Sequence, residues 1–191
     1  MGKMNKIKSR LEEFKSLPES EYKKEFMFCL LTPQSKAQNC WYAVEEISKL
    51  SSLNLDNATK ILSSKTRFHH TKAKRIIGNL KLWPAIEQQL ENSNILELRN
   101  NLAKTVNGYG LKEASHFLRN IGKSDNQIAI LDRHILRNLH QQGLIKEQKI
   151  KSQKHYLEVE QVYLNYAKQS NILPDELDLL WWSRENGEIF K

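Results

Sequence analysis

Val106-Asn107-Gly108-Tyr109-Gly110-Leu111-Lys112 is the stretch on which the fold turns. Before it, Leu98, Leu102 and Val106 recur at helical spacing; after it, Ala114, Phe117, Leu118 and Ile121 do the same. Two helices are therefore joined by a short turn with two glycines, a helix–hairpin–helix. Gly108 and Gly110 can both take positive φ and carry no Cβ, so the backbone can come close to a ligand. The second helix, starting at about Leu111, presents unpaired N–H groups and a partial positive charge, which suit a phosphate.

Lys112 sits in the first turn of that helix, where the dipole repels a cation. A lysine placed there points to chemistry. An amine attacks only when neutral, and both the dipole and desolvation favour the neutral form. Further on, a buried-looking Ile128-Ala129-Ile130-Leu131 leads into Asp132-Arg133-His134. Asp132 reads as the cap of the next helix, the common role of such an aspartate, and as a fixed carboxylate able to steady positive charge. One amine and one carboxylate suffice to cut an N-glycosidic bond.

Gly-x-Gly-x-Lys followed by Asp-x-His-Ile resembles the helix–hairpin–helix DNA glycosylase superfamily, in its bifunctional lyase branch. More narrowly, Gly110-Leu111-Lys112-Glu113-Ala114-Ser115-His116-Phe117-Leu118-Arg119-Asn120-Ile121-Gly122 and Leu131-Asp132-Arg133-His134-Ile135-Leu136 resemble the archaeal-type 8-oxoguanine DNA glycosylase/lyase. The resemblance runs from about Phe26 to Lys191. It implies an all-α fold of two helical lobes with the active-site cleft between them. Residues 29–136 would form the central lobe; residues 1–28 and 137–191 would form the other. It implies Lys112 as nucleophile and Asp132 as its carboxylate partner. Phe68, Trp182 and the terminal Lys191 would read the flipped base, although aromatics usually pack in cores and terminal residues usually fray. Trp181 is read as core. Gln34, in Leu31-Thr32-Pro33-Gln34-Ser35, either fills the gap left by that base or is an ordinary polar residue at a helix start. Gly108, Gly110, Arg133 and His134 would touch DNA, with a structural role for His134 equally open. Arg67, Lys72, Lys74, Arg75 and Arg137 could touch phosphate, against the plainer reading of solvated charges.

The partner implied is double-stranded DNA carrying 8-oxoguanine or abasic sites, met by a monomer in the cytoplasm of a prokaryotic cell, associated with its nucleoid. A monovalent cation at the hairpin would be in keeping with the superfamily; no other cofactor and no catalytic metal are expected. The rivals are an endonuclease III-type lyase for oxidised pyrimidines, without an iron–sulfur cluster, and a helix–hairpin–helix binding module without chemistry.

Composition agrees. The chain has 191 residues with 30 Lys+Arg against 22 Asp+Glu, a net charge of +8, compatible with a polyanionic partner. Only 7 Gly and 4 Pro favour helix nearly throughout. No run approaches the ~20 apolar residues of a membrane span, and the N-terminus has no apolar signal region. Cys29 and Cys40 are too few for a four-cysteine iron–sulfur cluster and read as buried thiols. The six histidines lack metal-ligand spacing.

Periodicity predicts helices over Lys3–Lys15, Glu19–Leu31, about 35–50, and about 151–169, with Pro174 opening the last. It also predicts a short helix capped by Asp56 or Asn57, a loop at Arg67-Phe68-His69-His70 closed by Thr71 as cap, and a short helix after Trp83-Pro84.

Overall fold

A computed structural model describes residues 2–191; among them are eleven helices and no strand. The helices are α1 (Lys3–Lys15), α2 (Glu19–Leu31), α3 (Ala37–Ser48), α4 (Leu55–Ser63), α5 (His69–Leu80), α6 (Trp83–Gln89), α7 (Ile95–Thr105), α8 (Leu111–Asn120), α9 (Arg133–Gln141), α10 (Gln153–Gln169) and α11 (Pro174–Asn186). None is long and apolar enough to cross a membrane.

The chain divides into two compact units. One spans Pro18–Phe117; the other joins the N-terminal stretch up to Leu17 with Leu118–Lys191. Both boundaries fall earlier than the sequence suggested. All of α2 goes with the middle unit because its side chains from Phe26 to Leu31 are buried without a break. α9 goes with the terminal unit because the Glu185 carboxylate of α11 binds it, as described below.

The middle unit is built around an aromatic cluster. Phe26 meets Trp83, Tyr109 and Phe117 with ring centroids 5.2, 5.3 and 5.7 Å apart. Cys29 and Cys40 are both buried and neither forms a disulfide among the described residues. In the terminal unit, α1 packs on α11 through Ile7, Phe14, Leu179 and Leu180, with Met4, Leu11, Ile172 and Ile189 against them. Trp181 is core, as expected, and lies against Tyr163 and Tyr166.

Local chemistry moves four helix starts. Asn54, not Asp56 or Asn57, caps α4: its side chain accepts from the Asn57 N–H and Asn57 reciprocates, a complete capping box. α3 begins at Ala37, beyond the turn at Pro33–Ser35. α6 includes Trp83 and Pro84, since proline is tolerated in the first helical turn. His69 and His70 belong to α5, whose cap position is Phe68 in the left-handed region at φ 58 rather than Thr71.

Candidate active site

The hairpin between α7 and α8 is held from three sides within the middle unit. The Val106 carbonyl accepts the Tyr109 N–H at 3.1 Å and closes the turn. The buried Asn79 amide of α5 pairs with both backbone groups of Asn107: its Nδ2 donates to the carbonyl at 2.8 Å and its Oδ1 accepts the N–H at 3.0 Å. The Tyr109 hydroxyl donates to the Phe26 carbonyl at 2.9 Å. Of the two glycines only Gly108 takes positive φ, at 100°. A Cβ there would stand 2.7 Å from Cδ of Arg75, whose side chain lies across the turn. Gly110 serves otherwise. Its N–H donates to Glu113 Oε2 at 3.0 Å, and a Cβ would crowd that oxygen at 3.3 Å.

Lys112 therefore stands in the first turn of α8, behind a turn that the fold has immobilised. Its Nζ lies 3.1 Å from Glu113 Oε1, and the lysine side chain is 24% exposed. Glu113 thus supplies, with its two oxygens, a helix cap and a counter-charge that makes a lysine at a helix start tolerable.

Gln34 and Phe68 sit at the tips of two neighbouring loops in the same unit. Both are exposed and both have left-handed backbone, φ 56 and φ 58. Beneath them Lys72 is 2% exposed, not the solvated charge its residue type suggested. Its Nζ donates to the Leu31 carbonyl at 2.7 Å, the Pro33 carbonyl at 2.8 Å and Ser35 Oγ at 2.9 Å. Ser35 Oγ also accepts the Arg67 N–H at 3.0 Å. Burial lowers Lys72 to a pKa of about 8; the Cys40 thiol pulls it back up, while Arg75 and Lys112 lower it further. Burial likewise raises Cys40 to about 11, against Lys72 and Lys112.

In the terminal unit, Asp132 caps α9. Its Oδ1 accepts the N–H groups of His134 and Ile135 at 2.8 and 2.9 Å. Oδ2 makes no hydrogen bond among the described residues. His134 is 8% exposed and engaged at both ring nitrogens: Arg133 Nε donates to Nε2 at 3.3 Å, and Nδ1 lies 2.5 Å from Glu185 Oε2. An Nε2 that accepts leaves the proton on Nδ1, facing the carboxylate. Glu185 also receives Arg137 Nη1 at 2.8 Å and Asn138 Nδ2 at 3.0 Å. Arg133 itself is exposed.

The end of the chain is anchored. Gly187, at φ 78, ends α11 and turns the backbone. Ile189 then packs on the α1–α11 core, and Arg10 Nε donates to the Phe190 carbonyl at 2.7 Å. Trp182 and Lys191 are both half-buried. Lys112 and Asp132 thus belong to different units, as do Phe68 and Lys191. Among the described residues no group of three His, Cys, Asp or Glu side chains is gathered as metal ligands.

Residues 7–172 match the family model described as 8-oxoguanine DNA glycosylase. The chain belongs to that family. An 8-oxoguanine DNA glycosylase/AP lyase of Fusobacterium nucleatum is 40% identical over 97% of this chain and 91% of its own length. One of Picrophilus torridus is 35% identical over 98% and 91%. The crystal structure of the Methanocaldococcus jannaschii 8-oxoguanine glycosylase/lyase, in complex with a 15mer DNA containing 8-oxoguanine, superposes with a TM-score of 0.88 at 31% identity, covering 98% of this chain and 92% of that one. The Thermotoga maritima 8-oxoguanine DNA glycosylase superposes equally well, at 34% identity and the same coverage.

In this 8-oxoguanine DNA glycosylase family member, sequence reasoning passed over Asn79, Glu113, Ser35, Glu185 and Arg10. Only Glu113 carried a readable signal, an acid three residues after a glycine at a helix start. The others act across the chain, Arg10 through a bond spanning 180 positions.

Proposed function

We propose that this chain is a bifunctional 8-oxoguanine DNA glycosylase/abasic-site lyase with Lys112 as its nucleophile. The observation that carries the assignment of Lys112 is its place in the first turn of α8, behind a hairpin fixed by Asn79 and Tyr109. The damaged nucleotide swings out of the duplex, because its sugar carbon is unreachable within the stack. Neutral Lys112 Nζ attacks C1′; the C1′–N9 bond breaks, and the base leaves with the electron pair and takes a proton from water. The bound amine gives up a proton, the C1′–O4′ bond opens with O4′ taking a proton, and a protonated imine remains between Lys112 and C1′. Loss of a C2′ proton expels the 3′-phosphate by β-elimination and nicks the strand. Asp132, oriented by the two N–H groups it caps, stabilises the positive charge that grows on the sugar as the base departs.

Phe68 and Trp182 supply faces for the extruded base, each contributing ~1–3 kcal/mol of stacking, and Lys191 reads its edge. An exposed Phe68 and an anchored chain end support that reading. Gln34 enters the vacated stack. Gly108, Gly110, Arg133 and His134 lie along the DNA, with Arg75 beside the hairpin. A monovalent cation held by hairpin carbonyls and a DNA phosphate fits the same picture, since carbonyl oxygen is a hard-cation donor. The enzyme works as a monomer on the nucleoid DNA of a prokaryotic cytoplasm.

Borohydride trapping on an 8-oxoguanine duplex tests this. The native chain forms a covalent adduct, and Lys112→Gln forms none and releases base at least ~10³-fold more slowly. Full trapping by Lys112→Gln would overturn the assignment of the nucleophile. A panel of single-lesion duplexes in which oxidised pyrimidines are cleaved fastest would overturn the substrate.

A further inference from the structure

Gln34 and Phe68 each stand in the left-handed region, at φ 56 and φ 58, with no glycine to ease it. Such a backbone is strained for a residue with a Cβ, and it persists where the surroundings hold it. The two tips are 34 residues apart in sequence but share one support. An ammonium has three donors, and Lys72 spends all three on the turn that carries Gln34: two carbonyls, Leu31 and Pro33, and the Ser35 hydroxyl. The Ser35 oxygen accepts a second bond from the Arg67 N–H, the residue before Phe68. The Leu31 carbonyl is shared in turn with the Cys40 thiol, at 3.3 Å. A methionine would fill the same space without taking a charge out of water. What the ammonium adds is three hydrogen bonds converging on one point, at a desolvation cost that packing does not require.

We propose that Lys72 and Ser35 form a positioning node that fixes Gln34 relative to Phe68, so that filling the vacated stack and receiving the extruded base occur as one event. The inference rests on the roles given to Gln34 and Phe68 above. Neither Lys72 nor Ser35 touches the reacting atoms; both act through the two tips. The node matters where a stack must be opened and refilled, and not where the lesion already lies in a single strand.

The test compares two substrates: an 8-oxoguanine duplex, and a single-stranded oligonucleotide with a preformed abasic site. Ser35→Ala and Lys72→Met are expected to lower kcat/KM on the duplex about tenfold or more, while abasic single-strand cleavage by Ser35→Ala stays within about twofold. In the duplex, 2-aminopurine beside the lesion should brighten less on binding than with the native chain. Ser35→Ala combined with Gln34→Ala should lower excision on the duplex by less than the product of the two single losses. Equal losses on both substrates, or no loss on the duplex, overturn the node. Should Lys72→Met fail to fold, Ser35→Ala, which removes one hydroxyl from a loop, decides alone. Gln34→Ala and Phe68→Ala run in parallel. If both leave duplex excision unchanged, the roles beneath the inference fail; if they lower it and Ser35→Ala does not, only the node fails.

Discussion

Asp132 uses one oxygen, Oδ1, for both backbone N–H groups at the start of α9. Cap and charge are therefore separable by a single substitution. Asn keeps an acceptor at the same place, and Asn and Asp cap equally well. Asp132→Asn should leave the unfolding free energy within about 1 kcal/mol of native while base excision falls ~10²-fold or more. Urea denaturation and single-turnover excision measure the two effects independently; a matching collapse of stability would mean the carboxylate only holds the helix. The places of Lys112 in the first turn of α8 and of Asp132 as the cap of α9 were legible from sequence because each stands in a local pattern, one behind two glycines and one opening a helix. Lys72 was not. It is one of 30 Lys and Arg, and its acceptors lie around 40 positions upstream, at Leu31, Pro33 and Ser35. Nothing near it in the chain tells a buried lysine from a solvated one.

The elements were legible in number and order wherever apolar residues kept helical spacing, and less so at their ends. α5 shows why. A threonine before an apolar periodic run is a reasonable cap, but Phe68 takes that role three residues earlier, because Ser35, Lys72 and Arg67 hold the entering backbone. The turn after α8 is a second case. Gly122 has φ 69, and a Cβ there would lie 2.5 Å from the Lys15 Cα at the end of α1. The glycine is needed for its backbone and for the closeness of α1, and neither is visible in the sequence alone. Gly122→Ala should cost about 2–4 kcal/mol, as backbone strain and overpacking together, and should show as a lower urea midpoint. Asn79→Ala, by contrast, loosens only the hairpin. Its expected result is a duplex affinity reduced about 3–10-fold, by fluorescence anisotropy, with helix content unchanged. A loss of helix content in step with affinity would mean that Asn79 supports the unit rather than the turn.

For the whole molecule, the two buried groups Cys40 and Lys72 make stability depend on pH in an unusual window. Stability rises with pH wherever the unfolded chain binds more protons than the folded one. Lys72 is lowered from 10.5 to about 8, by burial first and then by Arg75 and Lys112, with Cys40 opposing. Between pH 8 and 10.5 the unfolded lysine keeps a proton that the folded one has lost, so this group makes stability rise. Cys40 is raised from 9.0 to about 11, by burial. Above pH 9 the folded thiol keeps a proton that the unfolded one has lost, so this group makes stability fall. Tyr109 and Tyr163, raised well above 10.0 by burial, add to the fall beyond that point. Only from about pH 8 to 9 does Lys72 act unopposed. A full proton difference over one pH unit corresponds to ~1.4 kcal/mol, so a gain of about 1 kcal/mol should appear there and then level off. Urea denaturation at closely spaced pH values from 7 to 10.5 measures it. Lys72→Met should remove the rise and leave a decline above pH 9, whereas Cys40→Ala should let the rise continue past it. A native curve that is flat or falling from pH 8 to 9 would mean that Lys72 stays charged in the fold, held by its three acceptors against the desolvation.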